Sequence, residues 1–179
     1  MILAMIILPF ACALAVLLPV SKRFRGILLC AVSCVYAAAA ASCWMIPPAP
    51  QFNGYLALDP VGLIMLSAVG AVFVLVSVFM IGYFEHERRS NRTFTACLFT
   101  LLSLMTVVAT SYHFGLLWVA VETTTLLSAP LISFHRNQES LDATWKYLLV
   151  CSVGISLALM GTFFMAIAAH ETGSLLLVS

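Results

Sequence analysis

The sequence predicts an all-α membrane protein with about six transmembrane helices, organised as a single transmembrane domain over residues 1–179. Hydrophobic residues make up 63% of the chain and charged residues only 8%, whereas a soluble domain carries about 25% charged residues. The apolar residues form long runs, and the basic residues cluster in alternate turns between those runs. Such a chain has too few charges to cover a water-facing surface, so we expect it to contact lipid or other membrane subunits.

The first two apolar runs predict two helices. Lys22, Arg23 and Arg25 follow the first run, whereas a secretory signal has its basic residues in front of the apolar segment. We therefore expect this run to be a retained helix. The second run is rich in Ala, Ser and Cys, a composition that favours close packing between membrane helices.

Asp59 and Pro60 predict the start of the third helix, because Asp is a good N-cap and Pro fits the first helical position. We favour this capping role for Asp59 over a place in a proton path. The same helix ends in the polar segment EHERRSNR, which is typical of a solvated turn. The helices are predicted at about 2–18, 26–46, 61–84, 94–110, 112–134 and 141–169.

The basic residues predict how the helices are oriented in the membrane. Seven of the eight Lys and Arg residues fall in the turns after the first, third and fifth helices, and the eighth is Lys146. Under the positive-inside rule these turns face the cytoplasm. We therefore expect the N-terminus to lie outside.

Glu122 is the first candidate functional residue, because it lies near the middle of the fifth helix. An ionisable group inside hydrocarbon costs about 3 kcal/mol or more, so such groups commonly mark functional sites. Thr125 follows one turn later, and Pro130 leaves the carbonyl oxygen of Leu126 without its helical partner. These groups offer positions where water and protons can bind. The alternative is a neutral carboxyl group that is hydrogen-bonded between helices.

Lys146 is the second candidate, and it lies about 7–9 Å from the start of the sixth helix at 1.5 Å per residue. It shares one helix face with Val150, Gly154, Leu157 and Gly161, and the two glycines permit close approach of another helix. We therefore expect this face to be buried in protein, where a lysine suits a proton relay. The alternative is a lysine that reaches back to the membrane interface. A water-bridged pair with the deeper Glu122 is easier to build than a direct pair.

Other residue types indicate no cofactor, no metal site and no catalytic residue. None of the six cysteines forms a C-x-x-C pair, and no histidine pair, Gly-rich phosphate loop or nucleophile elbow is present. The composition gives no reason to expect a nucleic-acid partner. His135 is included as a candidate proton-path residue, because it lies in the turn on the side from which protons would enter.

Four segments of the chain carry a resemblance to a known family. The sequence VETTTLLSAPLISF, followed by SLDATWKYLLVCSVGISLALMGTFF, resembles the antiporter-like subunits of respiratory complex I, multisubunit sodium/proton antiporters and membrane-bound hydrogenases. The segments DPVGLIM and IGYFEHE also look like that family. The form E-x-T-T-L-x-S-A and the run A-T-W-K-Y look closest to the F component of the hydrogenase-4 and formate hydrogenlyase branch.

The resemblance implies a subunit that translocates protons while the redox reaction takes place in peripheral subunits. Glu122 matches the family's helix-five glutamate and Lys146 the helix-six lysine. The family has about fourteen helices with inverted repeats, so the 179 residues correspond to its N-terminal part. The expected function is that of a non-catalytic membrane-arm subunit of a hydrogenase or NADH-quinone oxidoreductase-like complex in a prokaryotic cell (inner or plasma) membrane. The expected partners are other membrane-arm subunits, peripheral redox subunits and lipid. The alternative is a truncated or purely structural subunit that conducts no protons.

Overall fold

The structure, a computed structural model, describes residues 1–18, 21–46, 48–52, 54–86, 92–134 and 137–168. In these ranges it consists of helices and connecting loops, with no β-strand. The helices are α1 (Ile2–Leu17), α2 (Lys22–Ser42), α3 (Pro60–His86), α4 (Arg92–Thr110), α5 (Phe114–Ile132) and α6 (Gln138–Ala168).

Five of the described helices, α2 to α6, are long and apolar enough to cross a membrane. Helix α1 is apolar but has 16 residues, which makes it about 24 Å long at 1.5 Å per residue. The predicted fold class, an all-α membrane protein, is therefore confirmed.

Helix α4 lies at the centre of the bundle. It packs mainly against α1 and α5 and also contacts α3, while α2 packs mainly against α3. Phe99 and Leu102 on α4 are almost completely buried and join a core formed with residues of α1, α2 and α3. Several buried residues of α4 carry small hydroxyl side chains, which allow neighbouring helices to approach closely; they are Thr95, Ser103, Thr106 and Thr110.

Buried hydroxyl groups connect the helices of this core. The Tyr36 hydroxyl on α2 and Thr106 Oγ1 on α4 are 2.7 Å apart, and Ser103 on α4 donates to the backbone carbonyl of Ile6 on α1 at 2.7 Å. Such bonds hold membrane helices in register, because lipid offers no competing partner to a buried hydroxyl.

The end of the bundle that includes residues 48–52, 54–59 and 111–113, here called the loop end, is fixed by backbone bonds and helix caps. Asp59 Oδ1 accepts a hydrogen bond from the Gly62 backbone N–H at 2.6 Å, and α3 begins at Pro60. The predicted capping role of Asp59 is therefore confirmed. His113 caps α5 in the same way, with Nδ1 accepting from the Gly115 N–H at 3.1 Å.

Helix α6 lies at the edge of the described bundle. Among the described helices it packs against α5 alone, and none of its residues is buried. The opposite end of the bundle, where α1, α3 and α5 end and α2, α4 and α6 begin, is here called the basic end. Because α6 packs on α5 alone among the described helices, the candidate site lies between α5 and the peripheral helix α6.

Candidate functional site

Helix α5 carries Glu122 near its middle, eight residues after its first residue, Phe114. Trp118, Thr125 and Leu126 share a face with Glu122, because they lie at helical spacings of three or four residues along this stripe. Pro130 lies inside the helix and has no N–H to donate to the Leu126 carbonyl. The sequence of α5 therefore places an acid and an unpaired carbonyl oxygen one turn apart.

Glu122 lies at a cleft between α5 and α6 with a volume of about 190 Å³. The stripe on α6 that faces it also has helical spacing, which explains why these particular residues meet α5. The cleft is lined by Glu122, Thr125, Leu126, Trp145, Leu148, Leu149, Cys151 and Ser152. Within this set Glu122 is the one acidic side chain and none is basic.

One oxygen of the Glu122 carboxyl group, Oε2, is buried and has no hydrogen-bond partner among the described residues. The neighbouring hydroxyl does not supply one, because Thr125 donates to the backbone carbonyls of Val121 and Glu122, 3.1 and 2.7 Å away. Ser152 donates to the carbonyl of Leu149 at 3.0 Å. A buried carboxyl oxygen without a partner is costly, so this oxygen is free to accept a bond from water, a cation or an added helix.

The structure brings Glu122 and Thr125 to the same cleft but leaves Lys146 outside its lining. Lys146 Nζ instead lies 2.6 Å from Asp142 Oδ2, one turn earlier on α6. The two side chains are 72% and 62% exposed, respectively. No direct pair of Glu122 with Lys146 is formed, and the partner of Lys146 in the described chain is Asp142.

No described helix packs on the Lys146 face, so its expected burial in protein stays a prediction. Val150 and Leu157 on that face are 74% and 65% exposed. A Cβ atom added at Gly154 or Gly161 would meet nothing within 4 Å. The face that packs on α5 is the adjacent stripe with Trp145 and Ser152, so α5 does not use the glycine face.

Two groups near the site were not among the residues predicted from the sequence. Asp142 precedes Lys146 by four residues, a spacing at which opposite charges on a helix commonly pair, so the sequence did contain a usable signal. The indole N–H of Trp118 donates to the backbone carbonyl of Ile155 at 3.1 Å, a contact across 37 residues that no local pattern announces. The predicted candidate His135 lies outside the described residues.

Comparisons with known proteins agree with the resemblance of the motifs. The chain is 30% identical over 127 residues to a hydrogenase-4 component F homolog of Methylacidiphilum infernorum, covering 67% of this chain and 27% of the relative. It is 30% identical over 122 residues to F(420)H(2) dehydrogenase subunit N of Methanosarcina mazei, covering 68% and 24%. NADH-ubiquinone oxidoreductase chain 2 of Tetraodon nigroviridis is 34% identical over 65 residues, which are 36% of this chain and 19% of that protein.

The similarity covers a limited part of each relative. The chain spans about a quarter of the length of the first two curated relatives that it matches. No family model matches the chain. The three relatives carry names of single components, subunits or chains of a hydrogenase, a dehydrogenase and an oxidoreductase, which supports a relation to the antiporter-like subunits of complex I-type assemblies.

Proposed function

We propose that this chain is a membrane-arm subunit, or the N-terminal part of one, in a redox-driven proton pump of the hydrogenase-4 or NADH-quinone oxidoreductase type. In this proposal Glu122 is the group that takes up and releases the proton. The observation that carries it is the unpartnered, buried Oε2 atom of Glu122 at a cleft within a membrane helix pair. The names of the three relatives support the type of complex.

The chemistry follows from the cost of a charge in hydrocarbon. A carboxyl group at mid-membrane is tolerated when neutral, and it ionises when water or a cation stabilises the charge. A cleft of about 190 Å³ has room for several waters, since one water occupies about 30 Å³ of the liquid. The Glu122 carboxyl group and the Leu126 carbonyl, which lacks its usual helical donor, offer acceptors for those waters, while Thr125 and Ser152 add hydroxyl oxygens. Arrival and departure of stabilising groups would thus change the protonation state of Glu122.

Lys146 acts in this proposal at the entrance to the cleft and not inside it. Its neighbour Trp145 lines the cleft, while Lys146 and Asp142 form an exposed pair closer to the basic end. A lysine that exchanges partners with a carboxylate can accept and pass on a proton. His135, in the turn before α6, is proposed as a further member of the path. By the positive-inside rule the basic end faces the cytoplasm of a prokaryotic cell and the N-terminus lies outside.

The test compares Glu122→Gln with Glu139→Gln in the assembled complex. Glu139 is an exposed glutamate in the first turn of α6, so its substitution removes the same charge away from the cleft. Proton uptake and electron transfer are measured together in inside-out membrane vesicles. We expect E122Q to assemble and to lower the rate of proton translocation by about 100-fold, the effect on a rate of losing a positioned proton-transfer group. E139Q is expected to pump like the wild type.

The competing hypothesis is a structural subunit that packs in the complex without conducting protons. The exposed Lys146–Asp142 pair favours it, because such pairs are common on surfaces with no role in transport. It predicts that E122Q and Lys146→Ala both assemble and both pump normally. Normal pumping in E122Q would therefore refute the proton-carrying role of Glu122.

A further inference from the structure

The two ends of the Glu122 cleft are built differently. Trp118 precedes Glu122 by one turn on α5, and Ile155 follows Cys151 by one turn on α6. The two helices run in opposite directions, so the 3.1 Å bond from Trp118 Nε1 to the Ile155 carbonyl lies between the cleft and the loop end. On the side of the basic end the cleft is bordered by Trp145, which is 61% exposed.

The bonding of Trp118 suits a barrier to protons. An indole N–H is a donor with no acceptor lone pair, so it cannot pass a proton along a chain of hydrogen bonds. Its single donor is already used at the Ile155 carbonyl. The large apolar ring also occupies space that water would need. A water chain that starts at Glu122 therefore meets, in the direction of the loop end, a bulky group that cannot relay a proton.

The same bond can open without damage to α6. The Ile155 carbonyl has two lone pairs, so within the helix it can accept from the N–H four residues later as well as from Trp118. When the indole leaves, this carbonyl keeps its helical partner, while the Trp118 N–H loses its own. In an apolar surrounding that loss favours return of the indole. The contact is thus reversible and biased towards closure.

We propose that Trp118 is the barrier residue that closes the Glu122 cleft towards the loop end, so that in this conformation the carboxyl exchanges protons with the basic end alone. The consequence for pumping rests on the proposed function of Glu122, whereas the closure itself does not. Trp118 positions the water path and takes no part in proton transfer. Opening of the Trp118–Ile155 contact is then the step that gives Glu122 access to the other side.

Cys151, which lines the cleft and is partly exposed, provides a native probe of this closure. A charged, membrane-impermeant methanethiosulfonate reagent is added to one side of sealed vesicles that contain the assembled complex. Modification of Cys151 is then followed by mass spectrometry of its peptide, without turnover. Trp118→Phe removes the N–H and keeps a ring, whereas Trp118→Ala removes the ring. Trp44→Phe is the matched control. Trp44 Nε1 donates to Ser67 Oγ over 2.9 Å, and neither residue lines the cleft.

From the side of the loop end, we expect Cys151 to react about threefold faster in W118F, the effect of losing one average interhelical hydrogen bond in a membrane, and still faster in W118A. W44F is expected to react like the wild type, and all variants are expected to react alike from the side of the basic end. Unchanged reactivity from the loop-end side in both Trp118 variants would overturn the proposal, as would an equal rise in W44F. If W118A fails to assemble, W118F decides alone.

The two proposals fail separately. Normal pumping in E122Q together with faster Cys151 modification in W118F would refute the proton-carrying role of Glu122 and support the barrier role of Trp118. Loss of pumping in E122Q together with unchanged Cys151 reactivity in the Trp118 variants would refute the barrier role of Trp118 and support Glu122 as the proton carrier.

Discussion

Gly62 lies near the start of α3, at the point where this helix meets the end of α4, and a methyl group added there has no room. A Cβ atom built at this position would overlap the backbone carbonyl oxygen of Ala109, and it would lie 2.8 Å from Asp59 Oδ1. The first obstacle is backbone and cannot rotate away. The second is the oxygen that caps α3 by accepting from the Gly62 N–H. Gly62→Ala therefore has to separate α3 from α4 and disturb the cap as well.

The expected loss of stability for G62A combines three effects. Overpacking costs about 1–3 kcal/mol, and loss of an Asp cap costs about 1 kcal/mol. The higher helix propensity of Ala returns about 1 kcal/mol. We therefore expect the free energy of unfolding to fall by about 1–3 kcal/mol.

The matched control is Gly154→Ala in α6, because a Cβ atom at Gly154 meets nothing within 4 Å. This variant keeps the gain in helix propensity and lacks the clash, so its stability should rise by up to about 1 kcal/mol. Both variants are unfolded by titration with a denaturing detergent in mixed micelles, and helicity is followed by circular dichroism. If G62A unfolds at the same detergent fraction as G154A, the inference that α3 and α4 approach closely at Gly62 is wrong.

Two smaller perturbations can be measured in the same titration. Tyr36→Phe removes the hydroxyl that lies 2.7 Å from Thr106 Oγ1. Because Thr106 keeps its own bond to the Leu102 carbonyl, we expect the free energy of unfolding to fall by about 0.6 kcal/mol. A fall well above about 1.7 kcal/mol would contradict this reasoning. Asp142→Asn removes the partner of Lys146, and because both side chains are mostly exposed we expect a loss below about 0.5 kcal/mol. A loss several times larger would mean that this pair is buried in the protein as it exists.

The features that could be predicted from the sequence are those that depend on neighbouring residues. Asp59 followed by Pro60 predicted a helix start, and the cap forms because its donor and acceptor lie three positions apart in one turn. The fold class followed from hydrophobicity, because a helix is the one single-chain element that satisfies its own backbone in lipid. Glu122 could also be singled out from the sequence, because a carboxyl group within a long apolar run stands out whichever way the helix packs.

The contacts between helices could not be predicted, because they join residues far apart in the chain. Two faces of α6 were available as packing surfaces, and the face with Gly154 and Gly161 had the better local signal. The structure packs the adjacent face on α5 and leaves the glycines open. In a membrane most of the surface of such a helix is apolar on every side, so hydrophobicity cannot mark the side that meets protein.

By itself, then, the sequence determined an all-α membrane protein and a helix with an acid at its middle, because both follow from hydrophobic runs and local spacing. Tertiary structure alone decided that α4 lies at the centre and that Trp118 bonds across to α6 beside Glu122. The physical reason is the same in each case. These arrangements depend on which helix faces meet, and shape and hydrogen bonding between distant residues select those faces where hydrophobicity is uniform.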